Sequence, residues 1–306
     1  MSIRIIFLGT GAAVPTAQRS LPAVLLQRGN KQIMFDCGEA AQRQMMMAKI
    51  SLHKKLGIFI THMHGDHVLG LPGLLQTMAL MDRQKSVDVY GPLGLEHFLK
   101  CLQETLQFQL TFQVDIHEVI KSGTICDEEE YTVAAEPSNH AVTSFSYLFE
   151  EKPRAGRFHP EKAKVLGVPQ GEAWSKLQHG KSLVLSDGSV VKPEDVTDPP
   201  RRGRKVVYSG DTKPFEGFAV FAADADLIIH EATFDDALAE KAQVDGHSTP
   251  SQAALETKAA NAKSLILTHI SARYPDVSLF EEQARKVFPN TVVAKDFLEI
   301  ELPLGE

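Results

Sequence analysis

The segment His62-Met63-His64-Gly65-Asp66-His67 constrains this chain more than any other. It directly follows the apolar run Gly57-Ile58-Phe59-Ile60-Thr61, so four potential metal ligands stand within six residues, where a buried strand should end. Imidazole and carboxylate are the ligands that hard-to-borderline divalent metals prefer, zinc first among them. Further candidates occupy equivalent places. His140 follows Tyr131-Thr132-Val133-Ala134-Ala135, Asp211 ends Lys205-Val206-Val207-Tyr208-Ser209-Gly210, and His269 caps Ser264-Leu265-Ile266-Leu267-Thr268. Each lies at or just past the C-terminal end of an apolar run, where α/β and layered sheet proteins place their sites.

The ligands divide into two sets. His62, His64 and His140 can hold one ion, and Asp66, His67 and His269 a second, with Asp211 bridging both. Two ions about 3.5–4 Å apart can clamp the attacking and leaving oxygens of a displacement, and they acidify a shared water.

The coarse pattern is α/β, with strands alternating with helices. Strands are expected near 3–8, 23–28, 32–36, 57–61, 87–90, 131–135, 143–149, 205–208, 226–230, 264–268 and 291–294. Helices are expected over 39–48, 65–81, 93–106, 250–260 and 278–287, the fourth opening on Ser248 or Thr249 before Pro250. Met45-Met46-Met47 reads as core packing on the first helix. A chain of 306 residues, 43% hydrophobic and 23% charged, suits one large soluble domain with a sizeable core. Cys37, Cys101 and Cys126 are widely spaced with no Cys-x-x-Cys, which reads as buried thiols in a reduced cytosolic chain. Ile3 to Leu8 is too short for a signal-peptide core, and no run approaches the roughly 20 apolar residues that span a bilayer. A cytoplasmic location without membrane attachment is expected.

From about 151 to 204 the hydrophobic periodicity fades, and Gly, Pro, Lys and Arg accumulate. Residues 152–205 carry 12 Lys/Arg against 6 Asp/Glu, a net of +6 in a chain of net charge −7. The global charge argues against non-specific nucleic-acid binding, and one protruding basic arm restores it locally.

Several segments, in this order, then carry a family resemblance: Phe7-Leu8-Gly9-Thr10-Gly11-Ala12, Phe35-Asp36-Cys37-Gly38-Glu39, Asn139-His140 and Ser209-Gly210-Asp211-Thr212. His230-Glu231-Ala232-Thr233, Gly246-His247-Ser248-Thr249 and His269-Ile270-Ser271-Ala272-Arg273-Tyr274 complete the set, which spans residues 7–274. With the H-x-H-x-D-H motif, they resemble the metallo-β-lactamase-fold hydrolases, and within that superfamily ribonuclease Z, the tRNA 3′-processing endonuclease. The resemblance implies a four-layer αββα sandwich as a single domain over 1–306, with an inserted flexible arm at about 151–204 that grips tRNA. It implies two Zn2+ per subunit, with Mn2+ as the other acceptable ion, and a homodimer in which one subunit's arm presents tRNA to the other's site. Precursor tRNA is the expected partner, and DNA is not. The arm tip corresponds to Gly167 to Gly180, with Gly167 and Gly171 as substrate contacts, and Phe158, Trp174, Leu177 and Leu183 ordering it against itself or against RNA.

Roles follow from the same resemblance. Asp66 accepts the proton of the attacking water, and His247, held protonated by Glu231, donates to the leaving 3′-oxygen. The products are a tRNA with a 3′-hydroxyl and a trailer with a 5′-phosphate. Arg273 offers its guanidinium fork to a substrate phosphate or to a structural salt bridge. Asp36 holds a ligand histidine in its tautomer, or simply forms a turn. Many relatives carry Pro-x-Lys-x-Arg-Asn after the first strand; here Pro15-Thr16-Ala17-Gln18-Arg19-Ser20 keeps Pro15 and Arg19, the latter a candidate substrate contact, but has Ala17 and Ser20 in place of the Lys and Asn. That change leaves open where cleavage falls relative to an encoded CCA. Two rival functions remain: a hydrolase of small phosphodiesters, thioesters or lactones on the same fold, and a non-catalytic RNA-binding protein built on it.

Overall fold

Alternation along the first strand decides the layering. Ile3, Ile5 and Phe7 join one buried cluster while Ile6 and Leu8 join another, so this strand is apolar on both faces. The computed structural model describes residues 2–304. In chain order its strands are β1 (Ile3–Gly9), β2 (Gly11–Ala12), β3 (Ala23–Arg28), β4 (Lys31–Phe35), β5 (Lys55–Phe59), β6 (Val87–Pro92), β7 (Val114–Val119), β8 (Gly123–Asp127) and β9 (Tyr131–Pro137). There follow β10 (Phe145–Glu151), β11 (Leu183–Val184), β12 (Val190–Val191), β13 (Lys205–Tyr208), β14 (Leu227–Glu231), β15 (Leu265–Thr268), β16 (Ile270–Ser271), β17 (Thr291–Val293) and β18 (Glu299–Leu302). One seven-stranded sheet runs β18-β1-β3-β4-β5-β6-β7 and the other β17-β15-β14-β13-β10-β9-β8. Each joins an antiparallel part to a parallel part, β4 to β7 in the first and β13 to β17 in the second.

The sheets pack face to face over Phe7, Phe35, Phe59, Tyr147, Phe149 and Tyr208. Helices α1 (Ala41–Met47), α2 (Gly65–Val68), α3 (Gly70–Leu80) and α4 (Leu95–Leu106) cover the outer face of the first sheet through Met45, Leu71, Leu74, Met78, Leu95 and Leu99. Further along the chain come α5 (Pro160–Val165), α6 (Glu172–Gln178), α7 (Pro193–Val196), α8 (Phe218–Phe221), α9 (Ala239–Asp245), α10 (Pro250–Ala259) and α11 (Ser278–Arg285). Phe218 of α8, Ala253 of α10 and Phe280 of α11 pack beneath the second sheet. The result is the αββα metallo-β-lactamase sandwich. No helix among the described residues is long and apolar enough to cross a membrane.

Within the two seven-stranded sheets, three strands escape the sequence reading: β7, β8 and β18. All three are sheet edges, with one face partly solvated and no continuous apolar run. The helix expected over 65–81 divides at Leu69 into α2 and α3.

The segment expected as a flexible arm has a structure of its own. It leaves β10 and returns to β13, which are paired neighbours with Glu150 opposite Lys205. Beyond that root come the bridges Arg154–Arg201 and Phe158–Thr197, then α5, α6, the β11–β12 hairpin and α7. Ala163, Val168, Leu177, Val191 and Val196 form a separate small core, and Phe158, Trp174 and Leu183 pack against it. The sequence signal faded because so small a core needs few apolar residues at irregular spacing. At the root, buried Glu151 accepts from Arg28 Nε at 2.6 Å and Arg204 Nε at 2.7 Å. A Cβ on Gly203 would fall 1.7 Å from the Glu151 carbonyl oxygen, so the crossing there requires glycine.

Candidate metal centre

Four segments meet at one end of the sandwich. β5 runs into His62 and His64, and α2 turns back so that Asp66 and His67 face the same space. The β9–β10 loop brings His140, the end of β13 Asp211, and the end of β15 His269. His62 Nε2 lies 2.9 Å from His64 Nδ1, which is 3.4 Å from His140 Nε2. On the other side, His67 Nε2 lies 3.3 Å from His269 Nε2, and each is 3.5 Å from Asp66 Oδ2. Asp211 stands between the groups: Oδ2 is 3.8 Å from His62 Nε2 and 3.4 Å from His67 Nε2, and Oδ1 is 3.3 Å from His269 Nε2. All seven ligand candidates are thus brought together, in overlapping groups that include His62, His64 and His140 on one side and Asp66, His67 and His269 on the other.

Surrounding groups aim them. His67 Nδ1–H donates to Asp36 Oδ2 at 2.7 Å, and Asp36, fully buried, also accepts from the Tyr208 hydroxyl at 2.9 Å and the Thr61 amide at 2.8 Å. His140 Nδ1–H donates to the Gly246 carbonyl at 2.8 Å. The Ala13 amide donates to Asp66 Oδ2 at 2.9 Å, so the loop after β1 orients that carboxylate.

These contacts test whether the donor set suits a cation. With Nδ1–H engaged by Asp36, His67 turns its other nitrogen toward His269 and two carboxylates. Asp211 Oδ1 is buried and accepts no hydrogen bond among the described residues. Bare nitrogens and a bare carboxylate oxygen at such separations need a positive charge between them, and imidazole with carboxylate suits zinc or manganese. The titration behaviour agrees. Burial acts against a charged His67, yet Asp211 and Asp36 outweigh it and lift the ring well above the usual histidine range. Burial also opposes an ionised Asp211, but His269 and His67 hold it well below the carboxylate range. His62 is driven well below its usual value by burial and by His67.

Beside the cluster stands a second kind of pair. His247 Nδ1 is 2.8 Å from Glu231 Oε1, and Glu231 also accepts from the Thr212 and Thr233 amides, each at 3.0 Å. Burial lowers the His247 pKa, but Glu231 more than offsets it, and the ring is pushed up to about 9. With Nδ1–H engaged by Glu231, Nε2 is the ring's other nitrogen.

Other expected residues divide. Arg273 is exposed, lies 4.8 Å over the Phe234 ring and makes no ion pair among the described residues; Phe234 in turn is 5.9 Å from the His247 ring. Arg19, expected at the substrate, points inward instead: Nη1 donates to the Thr10 hydroxyl and the Ala294 carbonyl, both at 2.7 Å. Gly167 and Gly171 sit on the arm with φ of 72° and 109° at turns flanking α5 and α6, which accounts for glycine there; neither joins the cluster. Cys37 is buried and serves packing. Thr61, Tyr208, Thr233 and Gly246 were given no role from sequence. The one available signal was adjacency, since Thr61 precedes His62, and Gly246 precedes His247.

Comparison with known proteins agrees with this geometry. Residues 196–270 match a family model described as a beta-lactamase superfamily domain, and residues 3–151 one described as anti-Pycsar protein Apyc1. The crystal structure of human tRNase Z, short form, is similar with a TM-score of 0.74 and 31% identity, covering 98% of this chain and 100% of that one. Ribonuclease Z of Nitrosopumilus maritimus is 42% identical over 300 residues, covering 98% of this chain and 100% of the relative. Ribonuclease Z of Methanosarcina acetivorans is 44% identical over 302 residues, 98% of either chain. Two packed sheets with a His/Asp cluster at one end define a metallo-β-lactamase-fold hydrolase with a divalent-metal site. More narrowly, the chain belongs to the ribonuclease Z family of hydrolytic endoribonucleases.

Proposed function

We propose that this enzyme removes the 3′ trailer from tRNA precursors, leaving a tRNA 3′-hydroxyl and a trailer 5′-phosphate. The observation that carries the reading is the His247–Glu231 pair beside the seven-ligand cluster, a proton donor next to a metal centre. His62, His64 and His140 would hold one ion and Asp66, His67 and His269 the other, with Asp211 between them; zinc suits the set, and manganese is accepted by the same donors. Bound there, such ions would supply Lewis acidity to a phosphate and lower the pKa of a water toward neutrality.

The chain's own groups do the rest. Asp66, aimed by the Ala13 amide, takes the proton of the attacking water. His247 Nε2–H protonates the 3′-oxygen as its bond to phosphorus breaks, and Glu231 keeps that ring charged. Arg273, without an ion pair among the described residues and stacked on Phe234 beside His247, meets a phosphate of the substrate. Arg19 braces the loop after β1 in place of touching RNA. The basic arm at 151–204 binds tRNA, and a homodimer would let one subunit's arm serve the other's centre. We place the reaction in the cytoplasm, where precursors arise.

The test is incubation with a labelled tRNA precursor bearing a 3′ trailer and an encoded CCA. Parallel samples contain chelator, a His64→Ala variant, and a variant with residues 156–180 replaced by a short linker. Cleavage at one phosphodiester near the 3′ end, lost in all three, is the expected result. An intact trailer alongside hydrolysis of a small chromogenic phosphodiester would keep the metal chemistry and sink the tRNA assignment.

A further inference from the structure

Two threonine hydroxyls stand between buried carboxylates and histidines of the cluster. Thr61 Oγ1 is 2.9 and 3.1 Å from the two oxygens of Asp36 and 3.0 Å from His62 Nδ1. Thr233 Oγ1 is 2.7 Å from Glu231 Oε2 and 2.8 Å from His269 Nδ1. Both threonines are buried, at 0% and 5% exposure, so water does not take over either contact.

A hydroxyl has one hydrogen to give, and an ionised carboxylate only accepts. The hydrogen therefore goes to the carboxylate, and the remaining lone pairs accept only from a ring nitrogen that carries a proton. His62 and His269 are thereby fixed as Nδ1–H tautomers with Nε2 bare. Those Nε2 atoms are the ones that face the centre, 3.8 Å from Asp211 Oδ2 for His62 and 3.3 Å from Asp211 Oδ1 for His269. The two relays divide between the ion sites. Asp36 serves His62 through Thr61 and His67 directly, while Glu231 serves His269 through Thr233 and His247 directly.

We propose that Thr61 and Thr233 are positioning residues for metal capture, each locking one histidine of a different ion site in the tautomer that leaves Nε2 free. This rests on the two-ion reading of the cluster but not on the identity of the RNA. With valine, which matches threonine in shape, the ring loses its acceptor and populates the Nε2–H form, which a metal must deprotonate before binding.

The experiment uses the full chain stripped of metal. Histidine ring 15N NMR of the parent protein should show His62 and His269 as Nδ1–H tautomers; finding either ring as Nε2–H overturns the proposal, whatever the variants do. In Thr61→Val the His62 signal should move toward a tautomer mixture, and in Thr233→Val the His269 signal. Zinc titration against a competing chelator should show one binding step weakened by Thr61→Val and the other by Thr233→Val, each about 10–100-fold. Thr61→Ser and Thr233→Ser keep the hydroxyl and should keep the parent's affinities. Equal losses in the serine and valine variants, or none in either, would show that the hydroxyls do not act this way. The readouts stand apart from tRNA cleavage, so an inactive parent with these tautomers and affinities would sink the tRNA reading alone.

Discussion

His269 holds its ligand position at φ 57°, in the left-handed region that costs a non-glycine residue energy, and Asp36 and Ala13 share that φ. Three strained residues in contact with one cluster mark where packing overrides local preference. Gly246 shows the same pressure from the other side. Its φ is +84°, and an added Cβ would fall 2.9 Å from His140 Nδ1. Gly246→Ala should therefore displace His140 and weaken zinc binding about 10–100-fold, read by chelator competition. His247→Ala should lower kcat by about 10²–10⁴ with the metal content unchanged. The pH dependence has a definite sign. In the proposed role His247 acts protonated, so activity should persist below its pKa and fall as pH rises through it. Glu231→Gln removes the charge that lifts the ring toward 9, so the alkaline limb of kcat should move to lower pH. The ligands were legible because four of them are adjacent in sequence and three end apolar runs. Thr61, Thr233 and Gly246 were not, because their roles depend on where one hydrogen points and how closely one backbone passes, which periodicity does not encode. The inward contacts of Arg19 were hidden for a related reason: an arginine in a polar loop gives no sign that Thr10 and Ala294 will accept from it.

The strands read correctly from sequence are mostly those with apolar neighbours on both faces, while β7, β8 and β18 owe their existence to pairing at an edge. The arm is legible only as a break in pattern; its internal core and its ionic root are not. That root makes its own prediction. Burial raises the Glu151 pKa, but Arg204 and Arg28 overcome it and bring the carboxyl from 4.5 to about 2. A depressed carboxylate contributes stability that is present above the unfolded value and lost as pH falls toward the folded one. The parent should thus lose stability between pH 4.5 and 2 more steeply than Glu151→Gln. At neutral pH that variant removes the buried carboxylate that Arg28 and Arg204 share, while Arg28 keeps Glu130, and should be less stable by roughly 3 kcal/mol, as denaturant unfolding would measure.

The metal centre joins the two sheets, since His62 follows β5 while Asp211 and His269 follow β13 and β15. Ions bound there cross-link the sandwich, and stripping them should lower Tm, reversibly on adding zinc back. Charge is divided just as unevenly. With +6 on residues 152–205 and −7 overall, the remainder carries −13. Affinity for the tRNA precursor should fall steeply with salt in the parent and much less steeply once residues 156–180 are replaced by a linker, by filter binding at several ionic strengths. The arm also leaves and re-enters the sheet at strands already bonded side by side, Glu150 facing Lys205. Closing those strands with a tight turn would make an ordinary hairpin and break no pairing within the sheet. The inserted segment is therefore a self-contained module whose length can change without disturbing the sheet that carries the metal centre.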